Sequence, residues 1–254
     1  MTDRPFPGEQ LAARVAGTGD RDWFFESGQR SVRETAALLG VVGRGFADFE
    51  RILDFGAGCG RMAAWLDDLP GEVHATDIDP EAVAWMDANL PHVQAVVNDA
   101  MPPLPYPDDY FGLVYNHSVL THLDERMQDA WLAELRRVTR PGGLVVLTFH
   151  GEPAFAAAEP DAQARAIYDE RGILFVSHPT PGLPDWYGVT YHAAWYVLAH
   201  WSNWLRVCAY VPRGALGLQD MVLLSPDTGA NPYAPPAREA PQPSRLQRAV
   251  KRLR

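Results

Sequence analysis

From Ile52 to Phe149 the chain alternates short apolar, β-branched runs with amphipathic ones, and this rhythm constrains the fold more than any other feature. Strands are predicted at Ile52–Phe55, Val73–Thr76, Val93–Val97, Gly112–Asn116 and Leu144–Phe149, and helices after Gly60, from Asp79-Pro80, and over about Asp124–Thr139. Strands that follow one another at this spacing run parallel, because each needs a crossover to return to the same end of the sheet, and the crossovers cover both faces with helices. The boundaries have their own signals. Asp79 offers an oxygen acceptor at a helix cap with Pro80 at the first helical position, and Arg140-Pro141-Gly142-Gly143 stops a helix before a strand.

Outside this block the pattern changes. Trp23 to Leu39 has apolar residues at helical spacing, interrupted at Ser27-Gly28, with Gly40 as a stop, so residues 1–48 are expected to form an N-terminal helical cap. Beyond His150, Ala154 to Arg171 is expected to be helical. Val176 to Tyr191 is rich in Pro, Gly and aromatics, and a lid or substrate segment is expected over about 172–195, since long irregular connections in compact domains often carry function. A helix near His192 to Ala199 should follow. Trp204 to Val211 and Met221 to Leu224 are close enough to pair as an antiparallel hairpin, which completes a seven-stranded, doubly wound α/β sheet, mostly parallel, over residues 49–226. Residues 227–254 are expected to be a disordered Pro-rich linker with a basic tail.

Composition narrows the function. A chain of 254 residues with 47% apolar content can bury one α/β core, and its formal charge of −10 argues against general nucleic-acid affinity, which depends on Lys and Arg neutralising phosphates. The tail runs against this charge, with Arg238, Arg245, Arg248, Lys251, Arg252 and Arg254 against Glu239. It is expected to be solvated, the alternative being contact with an anionic surface or a partner. Lys251 is the only lysine, which with abundant Ala, Gly and Pro points to a GC-rich bacterial genome. No run reaches the roughly 18 apolar residues of a membrane span, and the opening M-T-D-R-P-F-P lacks the basic start and apolar core of an export signal, so a cytoplasmic location is expected. Cys59 and Cys208 are too few and too scattered for a disulfide framework or a zinc site.

The turn after the first strand reads D-F-G-A-G-C-G-R from Asp54 to Arg61. A dinucleotide fingerprint, G-x-G-x-x-G, needs a small residue three places after its second glycine, where this chain has Arg61. A phosphate loop is excluded because no Gly-Lys-Ser/Thr follows. The glycines fall instead at Gly56, Gly58 and Gly60, where glycine accepts backbone angles that other residues resist and where side chains at Gly56 and Gly58 would block a ligand lying on the main chain. Asp77, at the end of the next strand, is placed to accept hydrogen bonds from both hydroxyls of a ribose; a solvated helix cap is the less favoured alternative for Asp77 and for Asp99.

D-F-G-A-G-C-G resembles motif I of the class I S-adenosylmethionine-dependent methyltransferases, and further matches follow in order: T-D-I-D-P at Thr76–Pro80, N-D-A at Asn98–Ala100, the fourth strand and its approach from Pro103 to Leu123, and L-R-R-V-T-R-P-G-G-L-V-V-L-T ahead of Phe149. The resemblance covers about Arg51 to His150, with the last two runs matching the family's reversed hairpin. It implies a Rossmann-like fold and S-adenosylmethionine as cofactor, with S-adenosylhomocysteine as product. It also implies a binding set of Asp54, Gly56, Ala57, Gly58, Gly60, Asp77, Ile78, Asp99, Ala100, Asn116 and His117.

Two absences narrow the reaction within that family. Methylation of DNA base amines goes with an N-P-P-Y-like motif where this chain has Y-N-H-S, and the metal-assisted catechol enzymes use acidic ligands where Gly112 stands in place of the usual aspartate, so no metal is expected. A hydroxyl acceptor gains from a base, and histidine is the natural one near neutral pH. His150 is the first candidate, being at a strand C-terminus, the edge where ligands bind in open α/β sheets. His117 shares that edge and suits contact with the cofactor. His192 and His178 lie in or beside the aromatic segment. For His122, in V-L-T-H-L, packing and function weigh evenly, and His74, His92 and His200 read as structural or exposed. Trp186, Tyr187, Tyr191 and Trp195 are candidates for an apolar acceptor wall or for a second core. Trp23 to Phe25 are candidates to close the site, with Ser27 and Gly28 near the cofactor. The expected activity is methylation of a small molecule, with oxygen the favoured acceptor atom and a natural product or a surface-glycan sugar as acceptor class. The alternatives are a catalytically silent cofactor-binding partner subunit and a nicotinamide-dependent oxidoreductase.

Overall fold

A computed structural model describes residues 4–178 and 183–227. Its first strands are β1 (Arg51–Phe55), β2 (Glu72–Asp77), β3 (Val93–Val97), β4 (Phe111–Tyr115) and β5 (Thr139–Phe149). With β8 (Arg206–Ala215) and β9 (Gln219–Ser225) they make one sheet in the order β3-β2-β1-β4-β5-β9-β8. The pairings from β3 through β5 are all parallel, and β9 alone is reversed, antiparallel to both β5 and β8. The last strand among the described residues is therefore not the edge strand. It slots between β5 and β8 with Phe149 opposite Asp220, so that the first residues of β9 arrive where β5 ends.

Helices cover both faces. On one side α4 (Glu125–Val138) is capped by Asp124, whose carboxylate accepts from the Met127 N–H at 2.8 Å, and it buries Met127, Trp131, Leu132, Leu135 and Val138 against Leu53, Val114 and Val145. That spacing is one apolar helix stripe. On the other side α3 (Pro80–Asn89) starts at the Asp79 cap as expected, and α2 (Arg21–Gly40) packs Leu38 and Leu39 into a core with Ile52, Leu113 and Val146. A short N-terminal helix, α1 (Glu9–Ala16), buries Leu11 and Ala12 against Phe24, Phe25, Cys59 and Ala82, which lays it across the glycine turn.

Several boundaries differ from expectation. No α-helix follows Gly60; two turns lead to a single 3-10 turn at Ala63–Trp65, closed by backbone bonds such as Ala64 N–H to the Gly60 carbonyl at 2.8 Å. The predicted break at Ser27-Gly28 is absent, because α2 uses the missing side chain at Gly28 to pack on the Arg61 carbonyl oxygen, which a Cβ there would overlap. Ala154–Arg171 is two helices, α5 (Glu152–Ala157) and α6 (Ala162–Arg171), separated by Glu159 with φ +51° and by Pro160. The aromatic segment is not an irregular loop where it is described. Its ends, β6 (Ile173–Ser177) and β7 (Gly188–His192), pair antiparallel as a separate two-stranded sheet, followed by α7 (Ala194–His200); residues 179–182 lie outside the described residues. The basic tail, 228–254, lies outside them too. Gly112, which departs from the family's aspartate, sits buried near the start of β4, where a Cβ would lie 3.0 Å from the Phe49 ring and 3.4 Å from Arg140 Nε. This is a packing position at the N-terminal end of the strand, away from the C-terminal edge of the sheet.

Candidate functional site

The C-terminal edge of the sheet is built in two halves. The first is the glycine turn. Gly56, Gly58 and Gly60 have φ of +73°, +56° and +69°, the left-handed region that other residues adopt only with strain. The N–H groups of Gly56 and Ala57 both donate to the Thr76 carbonyl, at 2.8 and 2.9 Å, and Gly58 N–H donates to Asp77 Oδ2 at 2.7 Å, so the turn is fastened to the end of β2. Asp77 Oδ1 accepts from the Asp79 N–H at 2.9 Å. Burial raises the Asp77 pKa, and these two N–H donors oppose that shift. The glycine hydrogens face protein: a Cβ on Gly56 would overlap Val119 Cγ2, and one on Gly58 would lie 3.0 Å from Val15 Cβ on α1. The expectation that a side chain there would first meet a ligand is corrected accordingly. What it first meets is the wall of the groove, Val119 beyond β4 and Val15 of the cap.

Below the turn lies a buried ionic cluster. Asp54, 3% exposed, accepts from Tyr115 Oη at 2.9 Å, and burial pushes its pKa up to about 7. Arg61 donates to Ser27 Oγ at 3.0 Å and Ser31 Oγ at 3.3 Å; burial lowers its pKa to about 10, so it remains charged, held up chiefly by Asp54. Ser27 and Gly28 thus serve Arg61, a residue that sequence reasoning treated only as a misfit to the dinucleotide pattern. Above the turn, Arg14 of α1 pairs with Asp79 and Glu81, each at 2.6 Å, strapping the cap to α3. The remaining expected cofactor residues follow the same edge. Ile78 is 40% exposed, Asp99 is exposed, the Ala100 carbonyl accepts from Trp131 Nε1 at 3.1 Å, and Asn116 is buried. Asn98 Oδ1, Asn116 Nδ2 and His117 Nε2 are buried with no hydrogen-bond partner among the described residues. Burial and the Arg61 charge lower the His117 pKa to about 3, so its ring is neutral.

These features fit S-adenosylmethionine. Orphaned buried polar atoms at the ends of β3 and β4 call for a partner. Asp77 keeps acceptor capacity beyond its two backbone bonds, beside a turn whose main chain is unshielded by side chains of its own. Among the described residues no group of His, Cys, Asp and Glu is arranged to hold a metal ion.

The second half lies across β4, β5 and β9. His150 directly follows β5, half-buried, its ring 5.6 Å from that of Tyr191, and its carbonyl accepts from the His192 N–H at 2.8 Å, which ties β7 to the main sheet. Burial lowers the His150 pKa, leaving the imidazole neutral at pH 7. Nearby, Ser118 adopts φ +67° just after β4, and Gln219 opens β9. His122 Nδ1–H donates to the Gly188 carbonyl at 3.0 Å and the ring stacks on Tyr187 at 4.3 Å; burial lowers its pKa to about 4. It docks the small sheet onto the domain.

His192 is a different case. It is 0% exposed, and its Nε2 lies 2.9 Å from Gln128 Oε1. Both N–H groups of Gln128 are used, on the Leu120 and Leu123 carbonyls, so Oε1 is an acceptor and His192 carries its proton on Nε2. The expectation of a catalytic role is corrected: this is a core histidine with no route to an acceptor. Of the four aromatics, Tyr187 and Tyr191 stand by His122 and His150, Trp186 packs against the main core, and Trp195, 53% exposed, lies over Gly172. Tyr191 also lines a cavity of about 340 Å³ with Phe155, Ala164, Leu174, Val176 and Val189, a mostly apolar space between the small sheet and α5–α6. Ser118, Gln219 and Thr148 escaped sequence reasoning. Ser118 stood in the quoted Y-N-H-S, but nothing local marks Gln219, which reaches the site only through strand reversal.

Comparison with known proteins bears on the family and the fold. A family model described as a methyltransferase domain matches residues 53–147. Malonyl-[acyl-carrier protein] O-methyltransferase of Halorhodospira halophila is 34% identical over 124 residues, 45% of this chain and 41% of its own length, and demethylmenaquinone methyltransferase of Beutenbergia cavernae is 34% identical over 110 residues, 43% and 45%. The chain thus spans less than half the length of these curated relatives. Among solved structures, the glycopeptide N-methyltransferase MtfA aligns with TM-score 0.54 at 20% identity over 78% of this chain and 89% of its own. A Pyrococcus horikoshii protein aligns with TM-score 0.53 at 19% identity over 70% and 82%. At those identities the structures speak for the fold.

Proposed function

The chain belongs to the class I S-adenosylmethionine-dependent methyltransferases, and from that premise we propose that it methylates a hydroxyl group of a small molecule, with His150 as the base. The observation that carries this reading is a neutral, half-buried imidazole at the end of β5, linked through the Gln219 amide to Ser118, whose neighbour Val119 walls the glycine turn at Gly56. Donor and acceptor halves meet there. When bound, S-adenosylmethionine supplies an electrophilic methyl carbon on a positively charged sulfur. The chain's part is to hold the acceptor oxygen in line with that carbon, exclude water and take up the hydroxyl proton, an orientation effect that alone can be worth several kcal/mol. Asp77 is assigned the ribose hydroxyls, the Gly56–Gly58 backbone and its neighbours the amino-acid end, and Asn98 and Asp99 the adenine side. His150 is suited to accept the proton because its ring is uncharged near neutral pH.

The cavity beside Tyr191 favours an acceptor with an apolar portion, as in many natural products, over a plain sugar. Transfer of labelled methyl from S-adenosylmethionine to a panel of phenols, alcohols, amines and carboxylates tests the reading. Methyl ethers as the dominant product, abolished in His150→Ala, are expected, and transfer to amines or carboxylates alone would overturn it.

A further inference from the structure

The reversal of β9 delivers one buried amide to the reaction edge. Gln219, 8% exposed, lies where β9 begins and β5 ends, and three polar groups, one from beyond β4 and two from the end of β5, converge on its side chain. Their order can be worked out from donors and acceptors. The Ser118 N–H donates to Thr148 Oγ1 at 2.8 Å, which leaves the Thr148 hydroxyl proton to donate to Gln219 Oε1 at 2.7 Å. With its oxygen thus engaged, the Gln219 amide presents its N–H groups the other way, one to Ser118 Oγ and one toward His150 Nε2 at 3.4 Å. An amide N–H has nothing to offer a protonated ring nitrogen, so Nε2 is held as the unprotonated one. Ser118 Oγ accepts from Gln219, so its own proton is left over, and the left-handed backbone at Ser118 fixes where that hydroxyl stands.

We propose that Gln219 is the positioning residue of the acceptor site: its carboxamide, fixed by Thr148, keeps His150 Nε2 as a proton acceptor and sets the Ser118 hydroxyl as a hydrogen-bond donor to the acceptor's oxygen. This rests on the reading of His150 as base. The 3.4 Å contact is long for a hydrogen bond, and an acceptor hydroxyl replaces it at Nε2. The acceptor's proton then passes to Nε2 as the oxygen–carbon bond forms and the methyl carbon's bond to sulfur breaks, its electron pair staying on the departing sulfur, and Ser118 donates a hydrogen bond without losing its proton. The other titratable groups that face His150 or its immediate neighbours are Tyr191 and His192 of β7, His122 beyond β4, and Asp220 of β9, which abuts Gly151 and accepts from Tyr210 of β8. Gln219 is the neutral member of this ring of partners that touches Nε2 directly.

The test uses the full chain. Long-range nitrogen–proton NMR of the His150 ring should show the Nδ1–H tautomer, and Gln219→Glu, which puts acceptors on both sides of the group, should raise the His150 pKa by more than one unit and move the acid limb of the methyl-transfer profile with it. Gln219→Leu should lower kcat at least tenfold while cofactor affinity holds, and Ser118→Ala should raise the acceptor KM. An Nε2–H tautomer in the wild type, or a His150 titration and rate profile unmoved in Gln219→Glu while His150→Gln abolishes turnover, overturns the role of Gln219 alone. Full turnover in His150→Gln overturns the base reading, and this proposal with it.

Discussion

The two halves of the cleft are built on opposite principles. On the donor side, β1, β2 and the turn between them are close in sequence, and their polar groups mostly satisfy one another: the Gly56 and Ala57 N–H groups on the Thr76 carbonyl, and those of Gly58 and Asp79 on the Asp77 carboxylate. On the acceptor side, Ser118, Thr148, His150 and Gln219 come from β4, β5 and β9, and the chain between them includes a second sheet with an apolar cavity. In the proposed reading the donor half is a locally bonded frame for the cofactor. The acceptor half is assembled from distant segments, so its specificity can change without disturbing the frame.

Separating the halves by mutation is the way to sharpen that contrast. The largest effect belongs to the acceptor side: His150→Ala should lower kcat by about 10²–10⁴-fold, the usual reach of a general base, with S-adenosylhomocysteine affinity measured by calorimetry unchanged. Next, Asp77→Ala should weaken cofactor affinity by roughly 1.5–3 kcal/mol, the scale of lost charge-assisted hydrogen bonds. An effect of that size on the acceptor KM instead would dissolve the division. Smaller again, Val189→Asp should raise KM about tenfold for acceptors with an apolar arm, through lost burial of a few tens of Å², and leave plain alcohols unaffected.

The smallest effect is a slope. Asp54 titrates near pH 7 in the folded chain and near 3.8 as a free carboxyl, so the folded state holds the proton more tightly. Asp54 therefore makes stability fall as pH rises through that window, by at most about 1.4 kcal/mol per pH unit. His117 and His192 act oppositely: their folded pKa values of about 3 lie below the ordinary 6.5, so stability falls as pH drops below 6.5. Urea unfolding of Asp54→Asn from pH 4 to 7 should show stability rising more steeply with pH than in the wild type, because the opposing carboxyl is gone.

How much of this was readable in the sequence follows the same division. Strand–helix alternation, the Asp79-Pro80 start and the glycine turn are local signals, and they placed β1 to β5, α3 and α4 within a residue or two at most boundaries, the long N-terminal extension of β5 apart. Where tertiary packing overrides local preference, reading failed. Gly28 looked like a helix break and is a contact surface for Arg61, and His192 looked like a base beside a lid and is a core residue whose Nε2 is bonded to Gln128. Gln219 has no signature at all, because its position depends on a reversed strand pairing with a segment about seventy residues away, the kind of non-local contact that leaves no period in the sequence.

The most direct test is a crystal structure of the chain with S-adenosylhomocysteine. Its amino-acid end should lie along Gly56–Gly58, its ribose hydroxyls on Asp77, and its sulfur should face Ser118 and His150 with room for one acceptor oxygen between. A ligand bound elsewhere on the sheet, or with its sulfur turned away from His150, would contradict the meeting of donor and acceptor halves at Gly56 and Ser118.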